Sequence, residues 1–176
     1  MEKTLYLIRH CQATGQAPDA ELTAEGMKQA EALTVFFKEL DISHIISSPF
    51  TRAIQSIEHL AVARSLPIQI DDRLAERVLS SENLPDWLEK LEQSFSDPDL
   101  KFEGGETARE AVERGAAAMA EAPGNAILVT HGNMMGLLLK RFEEAYGFEE
   151  WKALSNPDVY ILSINEENTI VKRIWK

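Results

Sequence analysis

The stretch "LYLIRHCQATGQ", residues 5–16, decides the fold and directs attention to the chemistry. Its apolar run ends in Arg9, His10 and Cys11, the single cysteine of the chain. A near-continuous apolar run is typical of a strand buried on both faces of a parallel sheet. Polar groups that directly follow such a strand lie at the sheet edge where α/β proteins bind ligands. The stretch therefore raises the question of whether His10 or Cys11 carries out a reaction there.

Strands and helices alternate along the rest of the chain. The predicted strands are Thr4–Arg9, His44–Ser48, Ile68–Ile70, Ala126–Thr130, Val159–Ile164 and Thr169–Trp175. The predicted helices are 22–40 with Thr23 as N-cap, Phe50–Arg64, Leu84–Phe95, Thr107–Glu121 and Met134–Tyr146. This order predicts an α/β fold, a three-layer α/β/α sandwich around a mostly parallel sheet with an antiparallel edge hairpin at the C-terminus. The 176 residues suit a single domain, 1–176.

Composition and charge argue against some classes of function. The formal net charge is −11, from 29 acidic and 18 basic residues, which argues against a broad nucleic-acid surface. An anion site in such a protein must be a local cationic pocket. The apolar runs are far shorter than a membrane span, and no secretory signal is expected. Since a lone cysteine suits a reducing compartment, we expect a cytoplasmic protein.

Polar side chains that follow the predicted strands should converge at one edge of the sheet. They are Arg9 and His10 after the first strand, Arg52 after the second, Glu76 after the third, and His131 with Gly132 after the fourth. Arginine offers a planar fork of donors that matches phosphate, and helix starts add backbone N–H groups. The pattern favours a phosphate-binding pocket over isolated surface salt bridges.

Such a pocket could also perform phosphoryl transfer. A neutral imidazole on His10 can attack phosphorus, and neighbouring arginine charges would lower its pKa. A charged His131 could donate to the phosphoryl oxygens as their charge changes in the transition state. Glu76 could protonate the leaving oxygen and later activate water, although a solvated loop carboxylate is the alternative for this residue.

Cys11 is the rival nucleophile. Cysteine phosphatases use a loop in which an arginine follows the cysteine after five residues, and that position holds Ala17 here. Without this central cation, the expected role of Cys11 is that of a small thiol packed under the loop. The sequence therefore favours His10.

Five motifs together resemble the histidine phosphatase superfamily, which is also called phosphoglycerate mutase-like. They are "LIRHC", "AELTAEGMKQAEAL", "ISSPFTRAIQS", "LAER" and "VTHGN", spread from Thr4 to about Leu139. The resemblance implies a phosphohistidine intermediate on His10, phosphoryl binding by Arg9, Arg52 and His131, and Glu76 as proton donor. It implies neither metal nor cofactor. Gln16 stands where the family has a pocket asparagine and could donate to phosphate.

Some positions depart from the family pattern. Cys11 replaces the signature glycine, Gln12 an acidic residue and Ala13 a small hydroxyl residue. "EGGET", residues 103–107, is similar to a family stretch that opens a helix facing the site, but Thr107 as a helix N-cap explains it equally well. Trp87, Trp151 and Trp175 are expected to be core or edge anchors.

The resemblance leaves three functions open. Only about 50 residues separate Glu76 from His131, and the chain ends in a short hairpin, so long covering insertions are absent. This favours a metal-independent phosphomonoester phosphatase acting on a phosphorylated small molecule or a phosphoprotein. The alternatives are a phosphoglycerate mutase and a non-catalytic phosphate-binding protein. Oligomeric state is not predicted.

Overall fold

A six-stranded sheet forms the centre of the computed structural model, which describes residues 1–176. The strands are β1 Lys3–Arg9, β2 His44–Ser47, β3 Ile68–Ile70, β4 Ala126–Thr130, β5 Asp158–Ile164 and β6 Thr169–Arg173. Their order is β3-β2-β4-β1-β5-β6, in which β3, β2, β4 and β1 are parallel. β5 pairs antiparallel with both β1 and β6. The mostly parallel sheet with a C-terminal antiparallel hairpin is therefore confirmed.

The helices follow the predicted pattern with one difference. They are α1 Ala24–Phe36, α2 Thr51–Arg64, α3 Trp87–Ser96, α4 Ala108–Glu121, α5 Gly132–Phe142 and α6 Phe148–Lys152. The predicted helix Met134–Tyr146 differs at both ends, because α5 begins at Gly132 and ends at Phe142, and the separate helix α6 begins only at Phe148. Phe142 and Tyr146 are four residues apart, which is a helical spacing. The backbone of Glu143 is nevertheless extended, and Gly147 is the N-cap of α6. None of these helices is long and apolar enough to cross a membrane.

Threonine side chains fix the starts of α1 and α4. The hydroxyl of Thr23 accepts from the N–H of Gly26, and that of Thr107 accepts from the N–H of Glu110. Glu110 completes a capping box by accepting from the Thr107 N–H. Both predicted N-caps are confirmed, so the "EGGET" segment does open a helix.

Helices cover both faces of the sheet. Along β1, Leu5 and Leu7 belong to one buried cluster, which includes side chains of α3, α4 and α5. Tyr6 and Ile8 belong to a second buried cluster, with side chains of α1 and α2. Because both faces of β1 are covered, successive residues are apolar and the strand reads as a continuous run. The structure thus has the three layers that the sequence predicts.

The parallel strands end together at one edge of the sheet. Arg9 lies opposite Thr130 in the register of β1 and β4, and Ser47 lies opposite Val129 in that of β2 and β4. The pairing continues one residue further, where the N–H of His10 donates to the carbonyl of Thr130 (3.1 Å). The N–H of Ser48 likewise donates to the carbonyl of Val129 (3.0 Å). The residues that follow three strands are therefore brought side by side.

Candidate active site

The imidazole of His10 is fixed in one tautomer at the end of β1. Its Nδ1 lies 2.6 Å from the carbonyl oxygen of Cys11, which only accepts, so Nδ1 carries the proton and donates. The lone pair is then on Nε2, which accepts from Nε of Arg52 (3.3 Å). The pKa of His10 is lowered to about 4, chiefly by burial and also by the charges of Arg52 and Arg9, against the raising effect of the hydrogen bond to the Cys11 carbonyl. His10 is thus a neutral imidazole, as a histidine nucleophile requires.

Arg52 is held by the backbone of the loop after β1. The side chain is 1% exposed, and its Nη1 donates to the carbonyl oxygens of Ala17 (2.8 Å) and Gln16 (3.3 Å). Its guanidinium also lies 5.0 Å from the centre of the Phe50 ring. These contacts place a cation beside the attacking nitrogen of His10 without a carboxylate to neutralise it directly.

Arg9 supplies a second cation at the same edge. Its Nη1 donates to the carbonyl of Leu154 (3.1 Å), while its buried Nε has no hydrogen-bond partner. A Cβ atom added to Gly132 would lie 2.9 Å from Nη2 and 3.0 Å from Cζ of Arg9. Glycine at this position is therefore what allows the guanidinium to lie against the start of α5.

His131 lies against His10, with 5.1 Å between the ring centres. Its Nε2 is 2.7 Å from Oγ of Ser48, and its buried Nδ1 has no partner. The pKa of His131 is lowered well below the ordinary value, chiefly by burial and also by the positive charges of Arg52 and Arg9. The sequence predicts a charged donor, whereas burial beside these cations favours the neutral ring.

Glu76 enters the site from the loop after a 3₁₀ turn, Asp72–Leu74. Its carboxylate accepts from the N–H groups of Asn133 (3.0 Å) and Met134 (2.8 Å) in the first turn of α5. Burial raises the pKa of Glu76, an effect that exceeds the lowering by these backbone donors and by the N–H of Arg77. A carboxyl that keeps its proton more readily than usual suits a proton donor.

The helix starts do not offer the N–H groups expected for phosphate. Those of Asn133 and Met134 are occupied by the Glu76 carboxylate. At the start of α2, the N–H groups of Ala53 and Ile54 donate to the carbonyl of Phe50. Side chains therefore provide most of the binding capacity, and the expected backbone cradle is only partly available.

Arg114 of α4 supports the segment that carries Glu76. Its Nη1 donates to the carbonyls of Arg73 (2.7 Å) and Ala75 (2.8 Å), and its Nη2 to the carbonyl of Glu76 (3.3 Å). Glu106 of the "EGGET" segment pairs with the same guanidinium (2.6 Å). The segment thus caps α4 and also fixes the position of the loop with Glu76.

Cys11 is buried below the loop and is fully inaccessible to solvent. Its N–H donates to Oγ of Ser56 (2.8 Å). Burial raises the pKa of its thiol to about 11, so the thiolate is disfavoured at neutral pH. The geometry therefore supports His10 over Cys11 as the nucleophile.

A cavity of about 510 Å³ opens next to these groups. Its polar lining includes Arg9, Gln16, Glu76 and Gly132, and its apolar lining consists of Leu79, Trp87, Leu91 and Trp151. Of the predicted site residues, His10, Arg52 and His131 do not line this cavity, and the Gln16 side chain is exposed and makes no hydrogen bond. No group of three or more His, Cys, Asp or Glu side chains is arranged to hold a metal ion.

Several wall residues were not among the predicted site residues. Arg77 and Asn133 line the cavity, and each has a buried polar atom without a partner. Asn133 lies inside "VTHGN" and Arg77 inside "LAER", so the motifs contained a signal for both. Trp151 packs against the larger buried cluster, as predicted, and it also lines the cavity together with Trp87, which is 49% exposed. No local pattern marks a cavity wall built from separate helices.

Comparison with known proteins agrees with this geometry. A sequence model of the histidine phosphatase superfamily (branch 1) matches residues 5–175. A protein of Escherichia fergusonii named "Probable phosphoglycerate mutase GpmB" is 33% identical over 156 residues, covering 77% of this chain and 72% of that protein. Mycobacterial glucosyl-3-phosphoglycerate phosphatase superposes with a TM-score of 0.76 at 21% identity, with 99% of both chains covered. The alpha-ribazole phosphatase from Shigella flexneri has a TM-score of 0.75 at 22% identity, with 97% of this chain and 95% of that chain covered.

An α/β sandwich with a buried histidine and two arginines at one sheet edge is the arrangement expected of a phosphoryl-binding protein. The chain belongs to the histidine phosphatase superfamily, as the family match over nearly its whole length shows. The resemblance stated from the motifs and the predicted fold class are both confirmed. The prediction of an enzyme of the histidine phosphatase type is confirmed at the level of the superfamily.

Gly132→Ala should weaken phosphate binding, because the new methyl group would displace the Arg9 guanidinium. Losing one charge-assisted contact predicts an increase of roughly 10- to 100-fold in the dissociation constant for inorganic phosphate. Titration calorimetry measures this constant. Gly147→Ala is the matched control, since a Cβ atom there meets nothing within 4 Å. Unchanged phosphate affinity in Gly132→Ala would refute the role of Arg9.

Stability should fall at acidic pH partly because of His10. The folded-state pKa of about 4 lies below the ordinary value of 6.5, so its contribution is complete above pH 6.5 and is lost as the pH falls toward 4. Between neutral pH and about pH 5, the unfolding free energy of the wild type should fall by about 2 kcal/mol more than that of His10→Gln. Urea denaturation at neutral and acidic pH measures the difference. The exposed His59→Gln should behave like the wild type, whereas parallel losses in His10→Gln and wild type would contradict the prediction.

Proposed function

We propose that this protein is a phosphomonoester phosphatase that forms a phosphohistidine on Nε2 of His10. One observation carries the proposal. The contact between Nδ1 of His10 and the Cys11 carbonyl leaves the lone pair on Nε2, 3.3 Å from a guanidinium N–H of Arg52. That N–H can turn to an oxygen of an incoming phosphoryl group, which frees the lone pair for attack on phosphorus.

In the first step, Nε2 of His10 bonds to phosphorus as the ester P–O bond breaks. Arg9 and Arg52 hold the phosphoryl oxygens, and the protonated carboxyl of Glu76 gives its proton to the leaving alcohol oxygen. In the second step, a water oxygen bonds to phosphorus and the P–N bond breaks. The Glu76 carboxylate takes a proton from that water, so inorganic phosphate leaves and both residues return to their starting states.

His131 acts as a hydrogen-bond donor to the phosphoryl group in this proposal. Its Nδ1 has no partner within the protein, and its other ring nitrogen is fixed by Ser48. A phosphoryl dianion would raise the pKa of His131 by Coulomb attraction, opposite in sign to the effect of the neighbouring cations. The charged donor expected from the sequence therefore belongs to the phosphate-bound complex.

Hydrolysis is favoured over mutase chemistry by access of water. Trp87, in the segment between β3 and β4, lines the cavity and is 49% exposed, which favours a cavity open to solvent. A phosphoenzyme formed there can be reached by water. The identity to a protein named as a phosphoglycerate mutase keeps that reaction as the second candidate.

The remaining parts of the proposal follow from the same residues. Arg9 and Arg52 supply the positive charge that a metal ion would otherwise provide, so the reaction is proposed to be metal-independent. The substrate is a phosphorylated small molecule or a phosphoprotein, and the 176 residues act as one catalytic domain. A cytoplasmic location is proposed because the single cysteine is buried and free.

Hydrolysis of 4-nitrophenyl phosphate in excess EDTA tests the proposal with the wild type, His10→Ala and Cys11→Ala. We expect EDTA-resistant activity that falls by roughly 10³-fold or more in His10→Ala, as for the loss of a nucleophile. Cys11→Ala should keep most of the activity because the thiol is buried and protonated. Loss in Cys11→Ala with retention in His10→Ala would overturn the mechanism. Turnover that requires a bisphosphorylated primer would instead support the mutase.

A further inference from the structure

We infer that the apolar side chains lining the active-site cavity bind a ring-sized apolar leaving group on the indole of Trp87. This inference rests on the proposed phosphatase function and specifies its substrate class, an aryl or arylalkyl phosphomonoester. Among the lining residues, Arg9 and Glu76 suit the phosphoryl group and the leaving oxygen. Leu79, Trp87, Leu91 and Trp151 add large apolar side chains to the same cavity.

Trp87 is placed where a bound group would cover it. The residue begins α3, and 49% of its surface is exposed although it lines the same cavity as Arg9 and Glu76. It also lines, with Leu79, an adjoining cavity of about 190 Å³, so the indole stands between two concave surfaces. An exposed tryptophan at the mouth of a site presents a flat apolar face to a ligand, and large exposed apolar residues in a cleft mark binding surfaces.

Another apolar lining residue, Trp151, is firmly packed. Trp151 of α6 stacks on Phe148, with 5.5 Å between the ring centres and 24° between their planes. It also packs against α5, since a Cβ atom on Gly136 would lie 3.0 Å from Trp151 Cδ1. Leu91, 5% exposed on α3, completes the apolar surface. Walls fixed by three different helices form a preorganised slot rather than a flexible surface.

Size and charge agree with this assignment. A cavity of about 510 Å³ has room for a ring-sized group in addition to the phosphoryl group. Arg77 provides the alternative mode of binding, because its buried Nη1 has no partner and could hold a small hydrophilic leaving group. The apolar mode depends on Trp87, whereas the hydrophilic mode would depend on Arg77 alone. The two modes can therefore be separated by substitution.

The experiment compares benzyl phosphate with glycerol 1-phosphate for the wild type and Trp87→Ala. Both substrates are alkyl esters with alcohol leaving groups, so they differ mainly in apolar surface. Removing the indole face should lower kcat/KM for benzyl phosphate by about tenfold, as loss of apolar contact over part of a ring predicts. The value for glycerol 1-phosphate should change by less than about twofold, since the phosphoryl machinery is untouched. Trp87→Phe should restore most of the preference.

Leu88→Ala is the matched control, because Leu88 is the next residue of α3, is 42% exposed and does not line the cavity. It should leave both substrates unaffected. Equal losses for both substrates in Trp87→Ala, or no loss for either, would overturn the inference while leaving the phosphatase proposal intact. A wild type that prefers glycerol 1-phosphate and loses that preference in Arg77→Gln would also overturn it. A wild type that hydrolyses neither ester, nor 4-nitrophenyl phosphate, would overturn the proposed function together with this inference.

Discussion

The hydrogen bond from Nδ1 of His10 to the carbonyl of Cys11, 2.6 Å long, determines which ring nitrogen can react. The backbone around it is held from three sides. The N–H of His10 donates to the carbonyl of Thr130 in β4. The carbonyl of His10 accepts from the Asn156 side chain (3.0 Å). The N–H of Cys11 donates to Ser56 of α2. Because sheet, C-terminal loop and helix all fix these two residues, the proposed nucleophile is already oriented in the protein alone.

Positive charge is concentrated within an acidic protein. The chain has a net charge of −11, yet Arg9 and Arg52 meet at the end of β1 and Arg52 is almost fully buried. Buried cations in a site of low dielectric constant act strongly on a phosphoryl group at short range, whereas the outer charge repels anions at long range. The first turn of α5 holds the Glu76 carboxylate near these cations, and its hydrogen bonds there come from backbone N–H groups rather than from a direct ion pair.

Much of this arrangement could be predicted from the sequence. Buried strands that end in Arg9, His10 and His131 are visible as apolar runs followed by polar groups, and parallel strands bring such ends together. The neutral state of His131 could not be predicted, because it depends on burial by elements distant in the chain. The hydrogen bonds that hold the Glu76 carboxylate could not be predicted either, because their donors, Asn133 and Met134, lie more than fifty residues away in the chain. The short helix α6 gave no periodic signal, so the role of Trp151 as a wall was also invisible.

The most direct test of the account is to trap and locate the phosphoenzyme in Glu76→Gln. Because 4-nitrophenolate leaves without a proton, this variant should still be phosphorylated by 4-nitrophenyl phosphate. It should be dephosphorylated slowly, since the group that activates water is absent. After an alkaline quench, mass spectrometry of peptides should place the phosphoryl group on His10, in a linkage that is stable to base and lost in acid. A phosphoryl group on Cys11, or on any residue other than His10, would contradict the account.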